Sequence, residues 1–216
     1  MKNLVCLISG RGSNLEAILH AQRDQQWERR LQARVAAVIS NRAQARGLSI
    51  AQAHGVATHV IAHDDFASRA AFDAALGQLI DRYQPALVVL AGFLRVLTPE
   101  FVDRYRGSLI NIHPSLLPAF AGLHTHARAL AAGVRVHGAT VHFVAGELDA
   151  GPIIAQAALA VEPGESEPCL AARVLALEHL LLPRCIGWLI EGKVRLEGRR
   201  VVTDGLGAGQ LLLCEA

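Results

Sequence analysis

Asn111 and His113 stand two residues apart in the stretch LINIHPSLLP, at the end of a short apolar run that a proline cuts off. In a pleated strand, residues i and i+2 point to the same face, so the amide and the imidazole project together. Pro114 brings no N–H to a sheet ladder, and the strand is therefore expected to stop at His113. That places the pair at a strand's carboxyl end, where open α/β sheets hold their ligands. Downstream, ELDAGPI offers Asp149, a carboxylate in a glycine-flanked loop between two expected strands. A carboxylate beside an imidazole favours the imidazolium. An amide and an imidazolium donate to a developing oxyanion, and the imidazole also moves a proton, so the three together suit acyl transfer. The plainer reading makes His113 a hydrogen-bonded structural residue, and spacing alone does not say that Asp149 reaches it.

A second candidate is SGRGSN, Ser9 to Asn14, between an apolar run and a helix-like segment. Backbone N–H groups in such a turn, with a helix N-terminus behind them, favour a phosphate. The stretch is close to the opening of a G-x-G-x-x-G fingerprint, but Leu15 occupies the third glycine's place. The second apolar run ends ISNR, without an acid for a ribose hydroxyl, which weakens a dinucleotide reading. No G-K-[ST] follows, so it is not a P-loop either. The alternative is a plain tight turn with Ser13 or Asn14 as helix cap. Six of the ten histidines fall at or after position 113: His113, His124, His126, His137, His142 and His179. Their spacing in HTH and HGATVH fits no zinc signature and has no thiolate partner, so no metal is expected.

The elements that must position these residues alternate. NLVCLIS, ARVAAVIS, THVIA and ALVVLAG read as buried strands, separated by helix-like NLEAILHAQ, QARGLSIAQAHG (stopped at Gly55) and FASRAAFDAALGQLIDRY. Repeated βα units with continuous apolar strands imply a parallel sheet covered on both faces. In the second half, SLINIH is a strand, and RVHGATVHFVA is a longer one with a bulge expected at Gly138. GPIIAQAALAV continues as β, and EPCLAARVLALEHLLLPRCIGWLIEG as a long helix with a kink or break near Pro183. KVRLEGRRVV reads as a hairpin turning near Glu197 and Gly198, followed by a loose glycine-rich end. The expected class is α/β, a single Rossmann-like domain over residues 1–192 with a hairpin and tail at 193–216.

Bulk composition narrows the function classes. The 216 residues are 52% hydrophobic, enough for a sizeable core, and a net charge of +2 argues against nucleic acid or an anionic membrane as partner. The four cysteines form no C-x-x-C pair and suggest buried free thiols in a reducing cytoplasm. The run Leu4 to Ile8 is short for a signal peptide, and LALEHLLLPRCIGWLI is interrupted by Glu178, His179, Pro183 and Arg184. A cytoplasmic protein acting on small molecules, without membrane contact, is expected.

With these residues in hand, the chain resembles the phosphoribosylglycinamide formyltransferase family of the formyltransferase superfamily. ISGRGSNL, VVLAGFLRVL, LINIHPSLLP, GLHTHARAL, HGATVHFV, ELDAGPII and ARVLALEH follow in that family's order, from about Lys2 to Gly192. The resemblance implies formyl transfer from 10-formyltetrahydrofolate, as cosubstrate, to the amine of phosphoribosylglycinamide, with no metal. It implies Asn111, His113 and Asp149 as the catalytic trio. It also implies Gly12, Ser13 and Asn14 at the substrate phosphate, with Glu178 at the glycinamide. On the folate side it implies Arg69, the stretch Leu94, Arg95, Val96 and Leu97, Asn111, and the loop Ala145, Gly146, Glu147, Leu148 and Asp149. AFAG stands after HPSLLP where the family has a basic or aromatic residue, then a Pro or Lys, before the glycine; cationic help from that loop is not expected.

Three rivals are weighed. Formyltetrahydrofolate deformylase hydrolyses the same donor but usually carries an extra N-terminal domain, whereas the first strand here is expected at about residue 3. Methionyl-tRNA formyltransferase needs a C-terminal RNA domain, and only a short tail follows Gly192. A non-catalytic nucleotide-binding module explains SGRGSN and leaves the trio unused. Monomer and homodimer both remain open.

Overall fold

The computed structural model describes residues 1–214 of the chain. Contacts divide it into two compact units, the first ending at Asn111 and the second beginning at Ile112. In the first unit, β1 (Lys2–Ile8), β2 (Ala33–Ser40), β3 (Ala57–Val60) and β4 (Pro85–Leu90) alternate with α1 (Ser13–Asp24), α2 (Trp27–Arg30), α3 (Arg46–Ala53), α4 (Arg69–Asp81) and α5 (Pro99–Arg104). β5 (Leu109–His113) begins in this unit. Its Leu109–Asn111 part pairs with β4, giving the order β5-β4-β1-β2-β3 with every pairing parallel. Leu4 to Ile8 of β1 are completely buried, the result of a strand covered on both faces. Caps set the helix starts: the Ser68 hydroxyl accepts from the Ala71 N–H, and Thr98 precedes Pro99 at the first helical position.

The second unit holds β6 (Val136–Phe143) antiparallel to β7 (Ile153–Ala160), with α6 (Thr125–Ala131) before them and α7 (Glu167–Ile190) packed on both strands. β8 (Val194–Glu197) and β9 (Arg200–Thr203) form the expected hairpin. The expected α/β class is borne out, with mostly parallel strands flanked by helices.

Four expectations are corrected. The bulge lies between Val141 and His142 and leaves Ile154 of β7 as the extra residue; Gly138 is regularly paired with Ala158. Gly138 is instead a close-approach glycine, because a Cβ there would meet the Ala157 carbonyl oxygen at 1.8 Å. The cysteines are buried only in part: Cys6 and Cys185 are, while Cys169 and Cys214 are exposed. α7 runs through Pro183 without a break, one intrahelical hydrogen bond short at the ring. The glycine-rich end is not loose over its described length: α8 (Ala208–Leu211) turns it back, and β10 (Leu212–Cys214) pairs parallel to β7. Among the described residues no helix is long and apolar enough to cross a membrane.

Gly138→Ala therefore forces β6 and β7 apart. It is expected to lower stability by about 1–3 kcal/mol, the usual cost of overpacking. A urea midpoint equal to that of the unchanged chain would show that the ladder gives way without cost.

Candidate active site

β5 ends at His113, as its proline requires, and strand alternation carries Asn111 and His113 to one face. The turn that follows is tied to β6 and β7 by small polar side chains. The Thr140 hydroxyl donates to the Ser115 carbonyl at 2.7 Å and accepts from the Leu117 N–H at 3.1 Å. Gln156 donates to the Leu117 carbonyl at 2.9 Å, and the Ser115 hydroxyl to the Ala119 carbonyl at 2.6 Å. Nothing in the motif reading singled out Ser115, Thr140 or Gln156. Their one signal is that two polar residues interrupt the apolar β6 and β7 runs at facing positions.

This turn aims His113 at Asp149. Nδ1 lies 3.3 Å from Asp149 Oδ2, with the two side chains only 8% and 9% exposed. The other ring nitrogen, Nε2, lies 3.1 Å from the Phe120 carbonyl oxygen. A carbonyl only accepts and an ionised carboxylate only accepts, so the imidazolium is the form that satisfies both contacts. Asp149 Oδ2 also accepts from the Gly122 N–H at 2.9 Å, and Oδ1 lies 3.9 Å from His142 Nε2. The His142 Nδ1 donates to the Phe143 carbonyl at 2.9 Å, which fixes that ring's orientation. Phe120, His124 and Asp149 all have positive φ, at 56°, 56° and 51°. Non-glycine residues in that region store about 1–3 kcal/mol each, and such strain clusters at functional sites.

The surrounding imidazoles are held neutral. Burial, then His126 and His113, push the His137 ring down to about 4, against the pull of the Pro114 carbonyl. His126 is lowered chiefly by burial, and so is His142, despite its carboxylate neighbour. Ring planes of His126 and His137 meet edge-on at 5.3 Å, and Phe120 meets His137 likewise at 5.9 Å. The AFAG loop carries no basic residue of its own, yet Arg128 from α6 brings a guanidinium to it. Its Nη1 donates to the Ala121 carbonyl at 2.6 Å, and the group stands 5.7 Å from the Phe120 ring centre. Among the described residues no three His, Cys, Asp or Glu side chains are grouped to hold a metal.

The remaining sequence candidates fall into place within each unit. In the first, neither Ser13 nor Asn14 caps α1. Gly12 occupies the cap with φ +79° and makes no side-chain cap bond. Only glycine fits, since a Cβ at Gly12 would stand 2.5 Å from the Gly47 Cα. The N-terminus of a helix entered through such a turn suits an anion. Arg69 opens α4, exposed, one turn before Phe72, and the Arg95 guanidinium lies 5.6 Å from the Phe72 ring centre. Leu94 and Val96 are exposed, while Leu97 is buried. In the second unit, Glu178 is buried on α7, and Gly146, Glu147 and Leu148 form the exposed part of the loop that ends at Asp149.

A mostly parallel α/β fold carrying a buried His–Asp pair at a strand end is the frame of a group-transfer enzyme. The chain matches the formyl transferase family over residues 2–186 and belongs to it. It is 46% identical over 215 residues to the phosphoribosylglycinamide formyltransferase of Escherichia coli (strain K12), covering 96% of this chain and 100% of that one. Among solved structures it is similar to the phosphoribosylglycinamide formyltransferase of Coxiella burnetii, with TM-score 0.89, 45% identity, and 99% and 98% of the two chains covered. A formyltetrahydrofolate deformylase from Pseudomonas syringae pv. tomato is further off in sequence, at 30% identity and TM-score 0.84 over 94% of this chain and 65% of that one.

Asp149→Asn keeps an acceptor for the Gly122 N–H and removes the charge facing His113. Turnover is expected to fall about 10²–10⁴-fold with the fold intact, and near-normal turnover would remove Asp149 from the chemistry. For His137, the folded-state value lies below the ordinary 6.5, so the unfolded chain takes up the proton first as pH falls. Stability is then full above pH 6.5, declines down to about pH 4 and levels off below it. The expected loss is on the order of 1–3 kcal/mol. His137→Phe should flatten this slope in urea titrations across the window; an unaltered slope would show that the ring is not kept neutral.

Proposed function

We propose that the chain transfers the formyl group of 10-formyltetrahydrofolate to the amine of 5'-phosphoribosylglycinamide, a step of purine biosynthesis. The observation that carries this is the buried His113–Asp149 pair at the end of β5, in a chain so similar along its length to the Escherichia coli formyltransferase. The amine nitrogen attacks the formyl carbon, forming a C–N bond and a tetrahedral oxyanion. Asn111 and the His113 imidazolium donate to that oxygen, the Nε2–H turning to it from the Phe120 carbonyl. Asp149 holds the ring and balances its charge. As the intermediate collapses, the bond from carbon to N10 of the folate breaks, the amine gives up a proton, and N10 gains one. Catalysis then rests on donors that meet their full charge only in the transition state.

In this reading the backbone N–H groups at Gly12, Ser13 and Asn14 take the phosphate, and Glu178 contacts the glycinamide. Arg69, Leu94 to Leu97, Asn111, and Ala145 to Asp149 contact the folate. Residues 1–192 act as one formyltransferase domain, and the hairpin and tail from 193 complete it. The protein works in the cytoplasm as a monomer or homodimer, on small molecules and not on nucleic acid. The runner-up is hydrolysis of the same donor, favoured only by the likeness to the deformylase.

Purified protein should formylate phosphoribosylglycinamide and leave the donor intact when no acceptor is present; hydrolysis at the same rate without acceptor would make it a deformylase. His113→Asn and Asn111→Ala should each lower kcat with little change in KM, by a loss of about 2.7–4 kcal/mol per donor. The double variant should be less impaired than the product of the two. Lost binding with unchanged kcat would overturn the trio.

A further inference from the structure

We propose that Ser9 is a positioning residue for the folate side of the reaction: its hydroxyl fixes the backbone of Leu94 to Leu97 in the shape that receives the donor. The inference rests on the reading of that segment as a folate contact. Ser9 follows β1 and is 3% exposed; Asn41, also 3% exposed, follows β2. The Ser9 hydroxyl donates to Asn41 Oδ1 at 2.7 Å and accepts from the Leu94 N–H at 2.8 Å. With its single proton committed to Asn41, the oxygen turns a lone pair to Leu94. The Ser9 N–H meanwhile donates to the Gly92 carbonyl at 3.0 Å, so one residue grips the segment on both sides of Phe93.

The segment needs that grip. Leu94 to Leu97 lies in no helix or strand, and its Leu94 and Val96 side chains are 63% and 56% exposed. Exposed apolar side chains gain nothing from ordering until a ligand covers them, so their backbone must be held by other means. Two further ties are the Arg95 guanidinium over Phe72 and the Thr98 N–H donating to Asp73 Oδ2 at 2.6 Å. The Ser9 hydroxyl is what ties Leu94 itself to the strand ends. A backbone ordered in advance spares the ligand that cost on binding. The phosphate turn has separate supports, the Gly47 N–H on the Gly10 carbonyl at 3.1 Å and the Gly12–Gly47 contact, and neither uses the Ser9 side chain. The hydroxyl should therefore govern one substrate and not the other.

The test uses the full chain with Ser9→Ala, Ser9→Thr and Asn41→Ala, reading steady-state constants for both substrates and amide hydrogen exchange at Leu94. Ser9→Ala leaves the Leu94 N–H and Asn41 Oδ1 without their partner. The KM for 10-formyltetrahydrofolate should rise roughly five- to fifty-fold, a range set by the loss of one buried hydrogen bond. The KM for the ribonucleotide and kcat should hardly move, and Leu94 exchange should accelerate. Ser9→Thr, which keeps the hydroxyl, should restore the folate KM. Should Ser9→Ala fail to fold, Asn41→Ala frees the hydroxyl to rotate and should shift the same two readouts in the same direction. Unchanged Leu94 exchange would overturn the tie itself. Faster exchange with an unchanged folate KM would overturn the reading of the segment as a folate contact. An equal rise in both KM values would mark Ser9 as general scaffolding.

Discussion

A carboxylate and an imidazole buried side by side impose the demands that the second unit answers. Deprived of water, a charge on either side chain needs the other as its partner, and removing one member of a buried ion pair typically costs about 3–5 kcal/mol. The pair also needs its remaining donors and acceptors met. That is the work of the Gly122 N–H on one side and the Phe120 carbonyl on the other. Both lie in a single loop, so its path is dictated by the two charges it serves. The positive φ values at Phe120 and His124 are what that path costs the backbone, and Asp149 carries the same cost in its own loop.

A strained loop holds its shape only if its roots are fixed. Thr140 and Gln156, facing each other across β6 and β7, hold the turn after His113 through the Ser115 and Leu117 backbone. The bulge at Val141 and His142 lies two residues further along the same strand, and it leads directly into the loop that carries Asp149. One strand pair thus fixes both approaches to the ion pair, and the close contact at Gly138 keeps that pair tight.

How much of this the sequence reveals depends on the range of each interaction. The strand that stops at His113 is legible, because an apolar run and a proline are local signals. The parallel strands of the first unit are legible for the same reason. The contact between His113 and Asp149 is not, since it depends on two loops folding toward each other across 36 positions. Gly138 was open to misreading because a bulge and a close backbone approach call for the same residue. The returning tail was masked by its glycines, while the pairing of Leu212 to Cys214 depends on an available edge of β7. Ser9 and Asn41 hide best of all: each looks like turn chemistry, and their hydrogen bond joins residues 32 positions apart.

The histidines show why a cluster need not be a metal site. Four imidazoles, His113, His126, His137 and His142, gather in one unit, and burial lowers the last three. The proximity of His113 lowers each of them further. Asp149 makes the distinction possible: its Oδ2, which also accepts from the Gly122 N–H, lies 3.3 Å from His113, whereas its Oδ1 stands 3.9 Å from His142. Neutral, aromatic neighbours do not compete for the carboxylate, and in such a low-dielectric setting each hydrogen bond to it counts for more than it would in water. A charged second ring would repel the first and draw in solvent. With three of the four rings held neutral, the carboxylate is left to His113, the ring it lies nearest.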